Sequence, residues 1–142
     1  LLNCLKKADG HRFAICVKQT GQYIGNAQLI NIKNNSAEFH MFIGEQQFWG
    51  KGIGKETTKL ILEYAFKVLN LDDVTLSVNR DNYAARSVYR KMKFQKVSER
   101  GGFIEMILRR ENYLKFYLLV SEALTDSNIA DALSINSNKL PG

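Results

Sequence analysis

The chain has 142 residues, 45% hydrophobic and 11% aromatic, which suffices for one globular domain and is too short for two ordinary ones. Its apolar runs are broken by Lys, Asn or Glu before they could span a bilayer, and no signal-peptide pattern opens the chain, so the sequence predicts a cytoplasmic protein. The net charge of +6 favours an anionic partner, which could be a nucleic acid, a membrane surface or a phosphorylated small molecule.

Cysteine and histidine usage argues against disulfide and metal scaffolds. Cys4 and Cys16 are the two cysteines, and no Cys/His cluster has the spacing of a zinc site. We therefore expect no metal.

The first part of the chain predicts three strands. Residues 11–18 and 22–33 are rich in β-branched and aromatic residues around a Thr20-Gly21 turn, which indicates a hairpin. After a turn at residues 34–36, residues 37–43 predict a third strand. Because the first strand-like run starts about a dozen residues into the chain, we expect the N-terminal part of the domain to be shortened and incomplete.

The next part alternates helices and strands. A helix over residues 54–69 is predicted by apolar residues at helical spacing, namely Leu60, Ile61, Tyr64, Ala65, Val68 and Leu69. A strand over residues 74–78 follows, so that strand, helix and strand predict a right-handed parallel crossover. Asn82 should cap a second helix that ends near Met92.

The chain should therefore form a mixed α/β sheet followed by an extension. Strands are predicted over residues 94–97 and 103–108, joined around Gly101-Gly102. We assign residues 1–110 to the domain and residues 111–142 to a C-terminal extension, packed at first and then mobile. Its apolar run, residues 113–120, could cover an interface in a homodimer.

A glycine-rich stretch lies between the third strand and the first helix, with the sequence Trp49-Gly50-Lys51-Gly52-Ile53-Gly54-Lys55. Glycines at alternate positions let the backbone turn tightly and approach a ligand, while the helix start directs N–H groups and a positive dipole end at it. This arrangement suits a pyrophosphate. The stretch has neither the Walker pattern nor the dinucleotide fingerprint, and a plain turn is the alternative.

A second motif carries a family resemblance. Asn82, Ala85, Tyr89, Lys91 and Phe94 match a stretch Asn-x-x-Ala-x-x-x-Tyr-x-Lys-x-Gly-Phe. With the glycine loop, this resembles the GNAT superfamily of N-acetyltransferases over about residues 11–110, and residues 37–94 look closest to its spermidine and ribosomal-protein branches. Two positions depart from the family pattern, since Trp49 stands where Gln or Arg is usual and Lys93 replaces Gly.

The resemblance implies a fold and a co-substrate. The fold would be a mixed, mostly antiparallel twisted sheet, with flanking helices and a parallel pair of strands splayed around acetyl-CoA. Backbone groups of the third strand would pair with the pantetheine arm, and the loop amides would receive the pyrophosphate. The implied cofactor-binding residues are Met41, Phe42, Ile43, Trp49, Gly50, Lys51, Gly52, Ile53, Gly54, Lys55, Asn82, Ala85, Tyr89 and Lys91.

The reaction would need two proton-transfer groups. An alkyl amine, with a pKa of about 10.4, must lose a proton before it attacks a thioester directly. Glu38 is the first candidate for the base, and His40 shares its face of the strand. Tyr89 stands at the family's position for the acid that protonates the departing thiolate. A solvated Glu38 and a structural Tyr89 are the plain alternatives.

The acceptor stays open among a polyamine, a protein N-terminus and an amino sugar. Two other functions compete with catalysis: a catalytically silent CoA-binding regulator, and a basic nucleic-acid-binding domain. Against the latter, no helix-turn-helix, RRM-like or zinc-finger pattern is present, so we expect neither a nucleic-acid nor a membrane partner.

Overall fold

The computed structural model describes the backbone of residues 2–9, together with residues 11–44 and 52–117. Within these ranges the elements, in chain order, are β1 (Leu2–Asp9), β2 (Arg12–Val17), β3 (Tyr23–Lys33), β4 (Ser36–Ile43), α1 (Ile53–Glu63), a π-helical turn (Tyr64–Val68), β5 (Asp73–Asn79), α2 (Tyr83–Lys91), β6 (Gln95–Arg100) and β7 (Phe103–Arg109). The chain divides into two compact units, residues 1–110 and 111–142. In the second unit, residues 111–117 are helical.

The described strands form one mixed sheet in the order β1-β2-β3-β4-β5-β7-β6. β4 and β5 pair in parallel across α1, and the other neighbours pair antiparallel. The predicted mixed, mostly antiparallel sheet with one parallel pair is thus confirmed. Among the described residues, no helix is long and apolar enough to cross a membrane.

One strand was missed by the sequence reasoning. β1 pairs antiparallel with β2 before residue 11, where no strand was expected. Its sequence, LNCLKKAD, lacks the β-branched and aromatic residues that signal strands. Pairing with a neighbouring strand therefore sets its conformation, and local propensity does not.

One face of the sheet carries the core. Alternate side chains of β2, β3, β4, β5 and β7 point to it and are buried, among them Ile15, Ala27, Phe39, Val74 and Leu108. α1 contributes Ile53, Thr57, Thr58, Ile61 and Leu62, which recur at helical spacing. The alternate side chains of β4, such as Glu38 and His40, lie on the opposite face.

The end of α1 departs from the predicted helix. The Leu69 N–H donates to the Tyr64 carbonyl at 3.0 Å, five residues back, which closes a π-helical turn. Since this turn holds an extra residue, Phe66 is buried and Val68 is 67% exposed. Val68, one of the apolar residues at helical spacing that predicted this helix, therefore does not contribute to the core.

β3 and β4 approach closely at Gly25. An added Cβ at this position would lie 2.0 Å from the Phe42 carbonyl oxygen and 2.9 Å from the Ile43 Cα. Both contacts are with backbone, which cannot swing aside as a side chain can. The end of β4 can occupy this place only because position 25 has no side chain.

Candidate active site

The parallel pairing of β4 with β5 is short. It comprises the pairs Ser36 with Asp73, Ala37 with Val74, and Glu38 with Thr75. Beyond them β4 stays paired with β3 as far as Ile43, while β5 stays paired with β7 as far as Asn79. The two strands therefore diverge and leave a gap between them.

A cleft of about 340 Å³ occupies this gap. β3, β4, β5 and α2 supply its walls, and the lining residues are Asn26, Gln28, Phe39, His40, Met41, Phe42, Ser77, Val78, Asn79, Asn82, Ala85 and Tyr89. Five of the sequence-predicted site residues are thus brought together here: Met41, Phe42, Asn82, Ala85 and Tyr89. Sequence reasoning missed Asn26 and Gln28, whose signal is two polar side chains at alternate positions among apolar residues in the first half of β3.

The start of α1 lies next to this cleft. Met41 lines the cleft, and its Cε is 3.4 Å from where a Cβ on Gly54 would stand. Gly52 precedes the helix with φ 79°, a left-handed conformation that favours glycine. The first N–H groups of a helix have no acceptor within it, so those of Ile53, Gly54 and Lys55 can donate to an anion. The predicted ligands Trp49, Gly50 and Lys51 lie outside the described residues.

Asn82 begins α2 as its N-cap. Its Oδ1 accepts from the Ala85 N–H at 3.1 Å, as the sequence predicted for a cap. The Nδ2 group of the same side chain can still donate to a ligand in the cleft. Of the other predicted ligands, Lys91 ends α2 and is exposed, and Ile43 ends β4.

Tyr89 is packed among aromatic rings on the core face. It meets Phe39 edge-on, with centroids 6.3 Å apart, and Phe94 with centroids 5.7 Å apart. The side chain is 8% exposed, and burial raises the pKa of its phenol from 10.0 to about 12. Tyr89 therefore keeps its proton at neutral and moderately alkaline pH.

The turn after α2 holds Tyr89 in register. Lys93 adopts φ 77°, so it takes the left-handed conformation that glycine would have at this position. The Phe94 N–H donates to the Tyr89 carbonyl at 3.0 Å. The lysine that departs from the family motif thus still forms the left-handed turn, at the strain cost of a non-glycine residue there.

Glu38 lies where β4 and β5 are still paired, and it borders a different hollow. This second hollow, of about 460 Å³, also takes in Asn31, Asn34, Lys33 and Glu105 among its lining residues. Glu38 accepts from Asn31 Nδ2 at 2.5 Å, and its Oε1 is 3.6 Å from Nε2 of His40. His40 itself lines the cleft. Among the described residues, no group of three or more His, Cys, Asp or Glu side chains could hold a metal ion.

Known proteins are similar to this chain in sequence and in fold. Residues 2–95 match the model of the acetyltransferase (GNAT) domain family. The chain is 30% identical over 92 residues to an N-acetyltransferase, p20, of Bacillus licheniformis, covering 63% of this chain and 51% of that protein. It is 35% identical over 80 residues to spermidine N(1)-acetyltransferase of Escherichia coli K12, covering 55% of this chain and 42% of that protein. The chain thus spans about half the length of these relatives.

A solved structure is also similar to this chain in fold. Spermidine N-acetyltransferase of Vibrio cholerae, solved in complex with CoA and spermine, superposes with a TM-score of 0.65 at 28% identity, covering 72% of this chain and 66% of that one. The same enzyme has been solved as a dodecamer.

The pKa of Tyr89 makes alkaline stability a test of its burial. An unfolded chain releases the phenol proton near pH 10, whereas the folded protein holds it up to about pH 12. The stabilisation is therefore complete below pH 10 and is lost as the pH rises from 10 to 12. At about 1.4 kcal/mol per pH unit, its loss amounts to roughly 2 to 3 kcal/mol.

Urea unfolding at pH 9 to 12 should show this loss in the wild type and not in Tyr89→Phe, because the other titrating groups are common to both. Tyr83, on the same helix and 69% exposed, supplies the control Tyr83→Phe, which should follow the wild type. Parallel curves for wild type and Tyr89→Phe would show that the phenol is hydrated.

The capping role of Asn82 and its predicted role in ligand binding can be tested separately. Asn82→Ser keeps a neutral capping oxygen but shortens the side chain, so it should retain stability and weaken CoA binding. Asn82→Ala should weaken binding and also lower the free energy of unfolding by about 1 kcal/mol. Calorimetry with CoA and urea unfolding measure the two effects; undiminished affinity in both variants would remove Asn82 from the ligand site.

Proposed function

The chain belongs to the acetyltransferase (GNAT) family, and we propose that it transfers the acetyl group of acetyl-CoA to a primary amine by direct attack. One observation carries the proposal: β4 and β5 part after three residue pairs, and the gap opens beside a buried, protonated tyrosine. Such a gap admits an extended chain between two strand edges, and the tyrosine supplies a proton at its wall.

The chain's own groups fit acetyl-CoA as co-substrate. Backbone groups of Met41, Phe42 and Ile43 form the edge of β4 along the gap, where they can pair with the pantetheine arm as a neighbouring strand would. One of these N–H groups can polarise the thioester carbonyl. We assign the pyrophosphate to the amides at the start of α1 and to the preceding Trp49-Gly50-Lys51. Asn82 and Ala85 line the cleft beside the pantetheine, and Lys91 completes the proposed set.

Tyr89 is the proposed acid. As the C–S bond breaks, the departing thiolate gains its proton from the phenol. A thiolate is a better base than water, so it can take the proton that the phenol holds at neutral pH. Packing against Phe39 and Phe94 fixes the ring, so the hydroxyl direction is set before the substrate binds.

The acceptor is proposed to be a small cationic amine such as spermidine. Among the described residues that line the hollow beside the cleft, the carboxylates are Glu38 and Glu105, the amides are Asn31 and Asn34, and the cation is Lys33. A second ammonium of the acceptor would be held there. Glu38 is the proposed carboxylate that assists loss of the proton from the attacking amine, either by taking it or by supporting a neighbouring group that takes it.

We also propose that the protein works in the cytoplasm as an assembly of several copies. The dodecamer formed by the Vibrio cholerae relative supports self-association. Sedimentation of the purified chain would measure the number of copies.

A thiol-release assay with acetyl-CoA tests the activity. Spermidine, an N-terminal peptide and an amino sugar should be compared, and spermidine is expected to give the fastest release. Tyr89→Phe should lower kcat by about 100-fold, the scale of one general acid, with little change in CoA affinity.

Two outcomes would contradict this proposal. Tight CoA binding with no thiol release for any amine would indicate the silent, regulatory alternative. An unchanged kcat in Tyr89→Phe would remove the tyrosine from the mechanism while leaving the activity in place.

Gly52 tests the phosphate end. Gly52→Val places a β-branched side chain at φ 79° beside the helix amides and should weaken CoA binding at least about tenfold. Gly21, in the β2–β3 turn, has φ 74°, and at either glycine an added Cβ would meet no atom of the described residues within 4 Å.

Gly21→Val is therefore the matched control. It should cost a similar amount of stability, measured by urea unfolding, without changing CoA affinity, measured by calorimetry. Equal affinities for the two variants would place the pyrophosphate elsewhere.

A further inference from the structure

We propose that His40 is the group that takes the proton from the acceptor amine, and that Glu38 and Asn31 position it from behind. This inference rests on the proposed acetyl transfer and deepens it by naming the group beside Glu38 that takes the proton. His40 lines the cleft between β4 and β5, whereas Glu38 lies where the strands are still paired and borders the neighbouring hollow. The imidazole thus stands between the cleft and the carboxylate.

The strand geometry places His40 at the opening of the gap. Residues 38 and 40 share one face of β4, and pairing with β5 ends at Glu38. His40 is therefore the first side chain on that face beyond the point of divergence. Phe39, between them, points to the opposite face and packs on Tyr89. The two proton-transfer groups are thereby assigned to opposite faces of the sheet, one for the incoming amine and one for the departing thiolate.

A β-bulge places the third member of the group. The β3–β4 register shifts between Ile30, opposite Glu38, and Lys33, opposite Ser36. Asn31 lies in this irregularity with φ 52°, a left-handed conformation that asparagine tolerates better than most residues. Its Nδ2 donates to Glu38 Oε2 at 2.5 Å, which leaves Oε1 directed toward His40. In a regular strand the Asn31 side chain would point in a different direction, so its contact with Glu38 depends on the bulge.

The pair has the chemistry that the step requires. Nε2 of His40 lies 3.6 Å from Glu38 Oε1, an ion-pair distance that a small rotation would shorten to a hydrogen bond. With the Nε2 hydrogen directed at Glu38, Nδ1 carries the lone pair that accepts the ammonium proton. The amine nitrogen then bonds to the acetyl carbon, the C–S bond breaks, and the thiolate takes the Tyr89 proton. The new amide nitrogen releases its second proton to water. Glu38 balances the imidazolium charge until His40 gives its proton to water and Tyr89 regains one from water.

Partial exposure suits this cycle. The side chains of His40 and Glu38 are 47% and 45% exposed, so in the open cleft the ion pair adds little stability. Water can therefore reach the imidazolium and carry the proton away. When the acceptor fills the cleft, it displaces part of that water, and the attraction between the two charges increases.

The sequence offers a matched control, because it contains two histidines. His40→Ala should lower kcat for amine acetylation by at least about 100-fold, with CoA affinity retained, and added imidazole should restore part of the rate. His11, which bonds the Tyr64 hydroxyl at 2.8 Å, supplies the control His11→Ala. That variant should keep its rate within about threefold and should not respond to imidazole.

The positioning residues need a readout that does not depend on turnover. Ring ¹⁵N chemical shifts of His40, assigned by comparison with His11→Ala, report which nitrogen carries the proton in the neutral ring. The wild type should show mainly the Nε2–H form, and Glu38→Gln and Asn31→Ala should shift the population toward Nδ1–H. Each of these substitutions, made alone, should also lower kcat about tenfold. In the His40→Ala background neither should lower kcat further.

The failures can be told apart. A wild-type protein that binds CoA but acetylates no amine overturns the proposed function, and this inference with it. An active wild type whose His40→Ala variant is equally active, or is slow but not restored by imidazole, overturns the role of His40 alone. Unchanged ¹⁵N shifts in Glu38→Gln and Asn31→Ala overturn the positioning roles.

Discussion

The divergence of β4 from β5 is the constraint on which the site depends. Parallel strands normally gain a ladder of hydrogen bonds along their whole length, yet here the ladder stops after three residue pairs. Beyond this point β4 stays paired with β3 and β5 with β7, so each strand keeps one neighbour while its other edge faces the gap. The cleft therefore depends on how the neighbouring strands of the sheet are paired, and we propose that a bound chain pairs with the strand edges that face it.

The helices place side chains at this gap through local features. The Asn82 cap fixes where α2 begins, and the left-handed Lys93 fixes where it ends, so Tyr89 falls between Phe39 and Phe94. Burial then raises the pKa of the phenol. The bulge at Asn31 acts in the same way on the other face, since it turns one amide toward Glu38. In each case a backbone irregularity decides the direction of one polar group.

Much of this could be predicted from the sequence, for identifiable reasons. Periodicity and capping residues located α1, α2 and the strands β2 to β5 and β7, because these elements bury one face each. β1 was missed because it has no strand-forming residues of its own. The alternation of strand residues predicted that Glu38 and His40 share a face. It could not predict that pairing stops at Glu38, because register between distant strands depends on tertiary packing. The π-helical turn and the bulge at Asn31 likewise have no marker in the chain.

Gly25 extends the site beyond the residues that line it. The backbone of β4 at Phe42 occupies the space that a side chain on position 25 would need. The position of this wall of the cleft thus depends on the lack of a Cβ at Gly25 on the neighbouring strand, although Gly25 is not among the lining residues. A side chain at position 25 would therefore displace the edge of β4 that we propose pairs with the co-substrate. Which substitutions are tolerated at position 25 should depend on the close approach of β3 and β4 more than on any contact with a ligand.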